Sequence, residues 1–352
     1  MSGTSPPGVD LDAFTAWAGA ALPQLQPPFT GTFIAGGRSN ITVRITDATG
    51  ADYVVRRPPL HSVLATAHDV AREHRIISAL GPTPVPVPRT LAVCDDVDVL
   101  GAPFYVMEYV DGIVLNTAEV AVAELNVDAR AAAGPSLVDA QVALHAVDPD
   151  AVGLGTLAKK EDFIARQLHR WSGQWAQTKQ REVPAVDRVH RILSENIPEQ
   201  RESRIVHGDF RLGNCIVDTD GHVRAVLDWE LCTLGDPLAD VGYMLASWPR
   251  PDDTHSWDLE NPTTAPGFVE HADLIERYAA ESGRDLGDID FYVAFSYWRL
   301  ACILEGVYAR SLGGAQGESD VDPEEFRIRV DNCAALADER AAGLVTGSGS
   351  GH

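Results

Sequence analysis

The chain has 352 residues, of which 45% are hydrophobic and 22% charged, and this composition is typical of an ordinary globular protein. Its formal net charge of −23 excludes nucleic acid as a partner, because nucleic-acid binding requires a basic surface. The acidity fits either a polycationic substrate or a solvated surface, so charge alone does not choose a substrate.

Neither the apolar stretches nor the cysteines indicate a membrane or secreted protein. No stretch approaches 18 uninterrupted apolar residues, and residues 1–10 lack the basic and apolar regions of a secretory signal. The five cysteines are scattered without C-x-x-C spacing, which fits a reducing compartment. We therefore expect a cytoplasmic protein that binds neither nucleic acid nor membrane, and we leave its oligomeric state open.

The first third of the chain is predicted to form a small β-rich unit. Residues 1–30 contain five prolines and a short apolar helix, which we interpret as an N-terminal arm. A helix over about 64–80 should end at Gly81-Pro82, because this dipeptide is a strong stop signal. Apolar and β-branched runs around that helix predict strands at 33–34, 41–45, 53–55, 89–94 and 103–107.

After Gly112 the sequence becomes mainly helical. Periodic apolar residues predict helices within 117–147, 161–197 and 236–342, and a β-hairpin with strands 214–218 and 223–227. The fold class that follows is α+β, with a small sheet-plus-helix N-lobe and a larger, mainly helical C-lobe. The predicted boundaries are an arm at 1–30, the N-lobe at 31–110, the C-lobe at 111–342 and a flexible tail at 343–352.

The richest chemistry lies between residues 205 and 230. This segment contains His-Gly-Asp209, then Asn214 at the start of the predicted hairpin and Asp228 at its end. Because a hairpin brings its two ends together, Asn214 and Asp228 should be neighbours. Their oxygens are hard ligands that suit a Mg²⁺ ion bridging nucleotide phosphates. Asp209, on the adjoining loop, is then placed to accept the proton of a substrate hydroxyl.

Each part of this pattern has an ordinary explanation, since a lone aspartate after a strand is usually a turn or cap residue. The joint pattern is much harder to obtain by chance. It resembles the aminoglycoside phosphotransferase and choline-kinase-like superfamily, relatives of protein kinases, over about residues 30–310. The resemblance implies a protein-kinase-like two-lobed fold, ATP as phosphate donor, Asp209 as catalytic base, and Asn214 and Asp228 as magnesium ligands. It also implies that Asp240 braces the catalytic loop through backbone N–H groups.

The same resemblance places the nucleotide on the N-lobe. Gly-Gly-Arg-Ser-Asn at 36–40 lies between two predicted strands, where glycines let backbone N–H groups approach phosphates. The glycines alone fit a plain hairpin turn, but their position before the Val-Val-Arg56 strand favours nucleotide contacts, which we predict from Gly37, Ser39 and Asn40. Met-Glu108-Tyr-Val110 resembles a kinase hinge, which implies that the Glu108 carbonyl and the Val110 N–H bind adenine.

Arg56 departs from the pattern, because the family usually has a lysine at this position to hold the nucleotide phosphates. Arginine can also bind phosphate, but with a planar fork in place of a point charge. Glu73 shares a helical face with the apolar Val70, Ile77 and Leu80, and a carboxylate on such a face requires a cation. We expect that cation to be Arg56, and the alternative is that Glu73 pairs with Arg72 or water.

The acceptor is the least determined part of the prediction. The segment from Arg166 to Trp175 resembles the phosphotransferase domain fused to acyl-CoA dehydrogenases, which implies a hydroxyacyl-CoA or hydroxy acid. An aminoglycoside-like compound is the other small-molecule hydroxyl acceptor that we consider. A basic cluster could bind CoA or be a solvated helix face; it comprises Arg166, Arg170, Lys179, Arg181, Arg188 and Arg191. The alternative function is nucleotide binding without catalysis, because Arg56 stands where the family usually has a lysine.

Overall fold

The structure is a computed structural model that describes residues 5–34, 40–59, 69–253, 255–258, 260–313 and 322–347. The chain divides into two compact units. The first unit comprises Met1–Gly112 and the short segment Arg224–Leu231, and the second comprises Ile113–Val223 and Cys232–His352. The described parts combine a small antiparallel sheet with many helices, which confirms the predicted α+β class.

The first unit is built on an antiparallel sheet whose described strands have the order β1-β2-β3-β5-β4. The strands are β1 (Thr30–Phe33), β2 (Ile41–Thr46), β3 (Asp52–Arg57), β4 (Thr90–Cys94) and β5 (Phe104–Glu108). A tight turn joins β2 to β3. Asp47 closes it, because its Oδ1 accepts hydrogen bonds from the N–H of Thr49 at 2.8 Å and of Ala51 at 3.1 Å.

Three described helices complete the first unit: α1 (Leu11–Ala21), α2 (Val70–Leu80) and α3 (Val97–Leu100). Helix α2 begins six residues later than position 64, where we predicted its start. Asp69 is not helical, and its side chain caps the helix by accepting a hydrogen bond from the Arg72 N–H at 2.9 Å. The rest of the predicted start, within 60–68, lies outside the described residues.

Helix α1 packs into the core of the first unit. Asp10 caps it by accepting hydrogen bonds from two backbone N–H groups. Its Phe14 is fully buried and contacts Phe29 and Phe104, with ring centroids 5.3 Å and 6.4 Å apart. The segment that we interpreted as an arm therefore contributes to the core on which the sheet rests.

The second unit is mainly helical. Its helices are α4 (Ala118–Glu124), α5 (Val127–Ala146), α6 (Phe163–Thr178), α7 (Pro184–Glu195), α8 (Leu238–Ala246), α9 (His271–Ser282), α10 (Ile289–Leu312) and α11 (Pro323–Gly347). Its short strands are β6 (Ile113–Val114), β7 (Arg204–Val206), β8 (Cys215–Val217) and β10 (Thr233–Gly235), while β9 (Val223–Val226) runs from this unit into the first. The helical part thus extends five residues beyond the predicted end at 342, and residues 348–352 lie outside the described part.

Helix α10 forms the centre of the second unit. Nearly every residue from Phe291 to Gly306 is buried, and α10 packs against α8 and α11. Its contact with α8 is very close, because a Cβ atom added to Gly242 would lie 2.5 Å from the Tyr292 backbone. Among the described residues, no helix is long and apolar enough to cross a membrane.

Candidate functional site

The predicted catalytic loop follows β7, which pairs antiparallel with β10. Asp240, at the start of α8, holds this loop in place. Its carboxylate accepts hydrogen bonds from the backbone N–H of His207 at 2.6 Å and of Gly208 at 2.8 Å. This confirms that Asp240 braces the loop through backbone groups. Gly208 has a φ of +86°, a left-handed conformation that favours glycine at this position.

Two buried side chains, His145 and Tyr278, form a chain of polar contacts that ends at the Asp240 carboxylate. His145 Nε2 lies 3.5 Å from the Asp240 carboxylate, and His145 Nδ1 lies 2.8 Å from the Tyr278 hydroxyl. Burial lowers the pKa of His145, so the imidazole is neutral. Burial alone would raise the pKa of Asp240, but the hydrogen bonds lower it below its ordinary value. The brace is therefore an ionised carboxylate, and His145 is a fully buried core residue.

The Asp209 side chain is fixed by Asn214. The Asn214 amide donates from Nδ2 to Asp209 Oδ2 at 2.7 Å and to the Asp209 carbonyl at 2.8 Å. The Asp209 N–H in turn donates to His207 Nδ1 at 3.2 Å. His207 therefore helps to organise the loop. With Nδ2 directed at Asp209, Oδ1 of Asn214 is the atom left for a metal ion.

Three side chains around this loop were missed by the sequence analysis. Arg299 of α10 donates from Nη2 to the Gly208 carbonyl at 2.7 Å, and its guanidinium lies 4.7 Å from the centre of the Tyr243 ring. Arg211 Nε lies 3.4 Å from Asp209 Oδ1. Arg299 carried a usable signal, because a charged residue within the apolar run of α10 requires a buried partner.

The hairpin turn beyond Asn214 forms as predicted. The Asp218 N–H donates to the His222 carbonyl at 2.9 Å, and the His222 N–H donates to Asp218 Oδ1 at 2.9 Å. Gly221 supplies the left-handed residue of the turn, with a φ of +86°. The expected proximity of Asn214 and Asp228 stays a prediction, because these residues belong to different units.

In the first unit, Arg56 contacts two carboxylates at once. Its Nε donates to Glu73 Oε2 at 2.9 Å, and its Nη2 donates to Asp228 Oδ1 at 2.9 Å. Glu73 is only 3% exposed, and its pairing with Arg56 confirms the prediction drawn from the apolar face of α2. Burial alone would lower the pKa of Arg56, but Glu73, Tyr105 and Asp228 raise it well above its ordinary value. The guanidinium is therefore charged.

Asp228 adopts an unusual backbone conformation, with a φ of +65°. A residue other than glycine rarely adopts this region, and such residues concentrate at functional sites. The buried Trp229 fixes the backbone around Asp228, because its indole N–H donates to the Val226 carbonyl at 3.0 Å. Arg72 of α2 donates to the Glu230 carbonyl at 3.3 Å. The carboxylate of Asp228 is a hard oxygen donor, so its chemistry fits Mg²⁺.

The remaining predicted nucleotide contacts stay predictions. Gly37 and Ser39 lie outside the described residues, whereas Asn40 is described and only 4% exposed. The Glu108 side chain accepts a hydrogen bond from the Arg89 N–H at 2.9 Å, and Glu108 ends strand β5. Val110 follows two residues later, before the end of the first unit.

Comparison with known proteins identifies the family. The family model for the phosphotransferase enzyme family matches residues 30–291. Acyl-CoA dehydrogenase family member 10 of Mus musculus is 36% identical over 287 residues, which are 79% of this chain and 26% of that protein. The chain thus spans about a quarter of the length of this relative.

Solved structures agree with this match. A Ralstonia eutropha protein, provisionally described as an aminoglycoside phosphotransferase, is 32% identical with a TM-score of 0.81, covering 95% of this chain and 98% of that one. A choline/ethanolamine kinase family protein of Mesorhizobium loti has a TM-score of 0.58 at 17% identity, covering 96% and 98%. The predicted kinase-like fold is confirmed, and the chain belongs to the phosphotransferase enzyme family.

Proposed function

We propose that the protein transfers the γ-phosphate of MgATP to a hydroxyl group of a small molecule. The arrangement of Asp209 is the observation that carries this proposal. Its backbone is fixed through the Asp240 brace, and its carboxylate is oriented by Asn214 at 2.7 Å. A carboxylate held this rigidly suits a catalytic base, because phosphoryl transfer depends mainly on positioning and charge stabilisation.

In this mechanism Asp209 orients the acceptor hydroxyl and receives its proton. Its Oδ1 is buried, so the proton is transferred to Oδ2. Oδ2 accepts a hydrogen bond from the Asn214 amide and still has a lone pair for the proton. Asn214 and Asp228 would hold Mg²⁺, which neutralises charge on the nucleotide phosphates when bound. Arg56 would contact the phosphates in the place of the usual lysine, while Glu73 keeps its guanidinium oriented.

Nucleotide binding is tested by thermal unfolding with ATP, with and without Mg²⁺, for the natural protein and for Asp228→Ala. We expect a magnesium-dependent rise of the unfolding midpoint that is lost in Asp228→Ala. The absence of any ATP-dependent rise in the natural protein would rule out the phosphotransferase proposal.

The acceptor belongs to one of two classes. Relatives named as acyl-CoA dehydrogenase family members support a hydroxyacyl-CoA or hydroxy acid, and the Ralstonia eutropha structure supports an aminoglycoside-like compound. The basic cluster gives CoA little support, because three of its cations pair with the chain's own carboxylates: Lys179 with Glu182, Arg181 with Asp331, and Arg188 with Asp338. A panel of both classes and choline, assayed for ATP-dependent mass gain, decides between them.

One observation favours a different function, that of a catalytically weak or silent nucleotide-binding protein. Arg56 already occupies Oδ1 of Asp228, the proposed metal ligand, at 2.9 Å. Magnesium would then compete with a buried cation for the same carboxylate. Magnesium-dependent ATP binding without product from any acceptor of the panel would support this alternative.

A further inference from the structure

The catalytic loop carries a cation that the proposed mechanism has not used. Arg211 stands two residues after Asp209, and its Nε lies 3.4 Å from Asp209 Oδ1. Its side chain is 30% exposed, so the protein covers it only in part. Arg299 also contacts the loop, where it is buried and donates to the Gly208 carbonyl.

The loop is shaped to keep Arg211 beside the base. Gly213 has no Cβ, and a Cβ added there would lie 2.4 Å from Arg211 Nη1 and 3.2 Å from Cζ. The guanidinium therefore lies directly over the space that a side chain at position 213 would fill. The Arg211 backbone is also fixed, because its carbonyl accepts a hydrogen bond from the Asn214 N–H at 3.0 Å.

This position places positive charge next to the reacting atoms. An acceptor oxygen hydrogen-bonded to Asp209 lies about 2.7 Å from its carboxylate. The transferring phosphorus lies next to that oxygen. The acceptor meets Oδ2 of Asp209, and Arg211 lies against Oδ1, so the guanidinium and the phosphoryl group approach neighbouring oxygens of one carboxylate. Phosphoryl transfer gains most from cations at this point, because negative charge is spread over the equatorial oxygens in the transition state.

We infer that Arg211 is a catalytic residue that binds the transferring phosphoryl group. We also infer that Gly213, which has no side chain, leaves the space in which the Arg211 guanidinium lies. The inference rests on the proposed phosphotransferase function. In the step, the acceptor oxygen forms a bond to the γ-phosphorus, and the bond from that phosphorus to the β–γ bridging oxygen breaks. ADP leaves with the electron pair, and the hydroxyl proton passes to Asp209. Arg211 contacts the equatorial oxygens throughout and exchanges no proton.

The test compares Arg211→Met, Gly213→Ala and the double variant with the natural protein. Two quantities are measured: the dissociation constant of MgATP, and the rate of ADP formation from MgATP with the acceptor panel. Arg277→Met is the matched control, because Arg277 is a partly exposed arginine of the same unit that pairs with Asp139, at 2.7 Å. Unfolding midpoints within about 2 °C of the natural protein show that a variant is folded.

We expect Arg211→Met to lower the rate by about 100-fold or more and to change the MgATP dissociation constant by less than about threefold. Gly213→Ala should lower the rate by about tenfold, because it displaces the guanidinium and leaves the loop backbone in place. It should have no further effect in the double variant, since both substitutions act through one guanidinium. Arg277→Met should match the natural protein.

Two results would overturn the role of Arg211 alone. The first is an Arg211→Met rate within about threefold of the natural rate, and the second is a rate loss that saturating MgATP restores. Should Arg211→Met fail to fold, an unchanged rate in folded Gly213→Ala overturns the inference equally. Failure of the natural protein to bind MgATP or to form ADP would instead overturn the proposed function itself.

Discussion

Arg56 connects strand β3, helix α2 and the segment after β9 through one side chain. Its fork reaches Glu73 on α2 and Asp228 after β9, both at 2.9 Å, while its backbone lies in β3. A lysine ammonium could not present two fixed donors in this geometry. The arginine therefore fixes the position of the Asp228 carboxylate in addition to any role toward phosphate.

This double contact gives a stability prediction. Arg56→Met should lower the free energy of unfolding by about 3–5 kcal/mol, because it leaves the buried Glu73 carboxylate without its cation. Arg56→Lys should cost less, since a positive charge remains. Denaturant unfolding measures both. The matched variant Arg56→Met with Glu73→Gln should recover part of the loss, and equal instability of the single and double variants would contradict this explanation.

A second prediction at this scale concerns Asp209. Asp209→Asn should leave the MgATP dissociation constant nearly unchanged and abolish turnover, because an amide cannot receive the hydroxyl proton. Rates and binding constants are measured on the same preparation. Asp139→Asn, which alters an exposed carboxylate of the same unit, is the control and should stay active. Near-natural turnover in Asp209→Asn would show that Asp209 is not the base.

Individual site residues were predictable where the sequence pattern carries their chemistry. The contact of the Asp240 brace with the catalytic loop was anticipated, because the motif around it repeats a recognisable spacing. The hydrogen bond from Asn214 to Asp209 was not, since Asn214 was expected beside Asp228. Arg299 was not anticipated either, since its partner Gly208 lies 91 positions away. A buried charge signals that a partner exists, but only the tertiary structure identifies it.

The helices show how local signals refine a periodic pattern. The predicted segment 161–197 is two helices, α6 and α7, and Pro184 stands at the first position of α7. The segment 117–147 is likewise divided, with Asn126 capping α5 through the Ala129 N–H at 2.9 Å. Both signals were present in the sequence, because proline and asparagine favour helix starts. The apolar periodicity continues across both breaks, so periodicity alone does not locate them.

Packing between helices gives a prediction that does not depend on function. Gly242→Ala should lower the free energy of unfolding by about 1–3 kcal/mol, because its methyl group would lie 2.5 Å from the Tyr292 backbone of α10. Gly173 in α6 is the control, since a Cβ there meets nothing within 4 Å. Gly173→Ala should be neutral or stabilising by up to about 1 kcal/mol. Equal effects of the two substitutions in denaturant unfolding would contradict the close contact of α8 with α10.

Across the whole molecule, buried and half-buried histidines make stability depend on pH. Burial lowers the pKa of His74, His145, His190 and His271 below the ordinary value of 6.5. Below pH 6.5 the unfolded chain binds protons that the folded chain does not, so stability is complete above this pH and is lost as the pH falls further. The unfolding midpoint should therefore be lower at about pH 5.5 than at about pH 7.5.

His271 allows this explanation to be checked. Its Nε2–H donates to the Trp248 carbonyl at 2.8 Å, and a glutamine amide can make the same bond without titrating. His271→Gln should reduce the difference between the two midpoints. His169→Gln, at an exposed position, should leave that difference unchanged. A difference that is the same in both variants and the natural protein would exclude His271 as a source.

The order of the two units along the chain was only partly predictable. A β-rich part followed by a helical part is visible in the apolar patterns, and the α+β class follows from it. The assignment of residues 224–231 to the first unit was not visible. Apolar patterns identify a strand such as β9, but they do not show to which unit the strand belongs.

That assignment has a consequence for synthesis of the chain. A ribosome releases residues 1–112 early, but the first unit also needs Arg224–Leu231, which emerges only after Ile113–Val223 of the second unit. Until then, Arg56 lacks Asp228, the second of its two carboxylate partners. The first unit therefore cannot complete its charge network co-translationally as an independent N-terminal domain, and a fragment that ends at Gly112 would lack that carboxylate permanently.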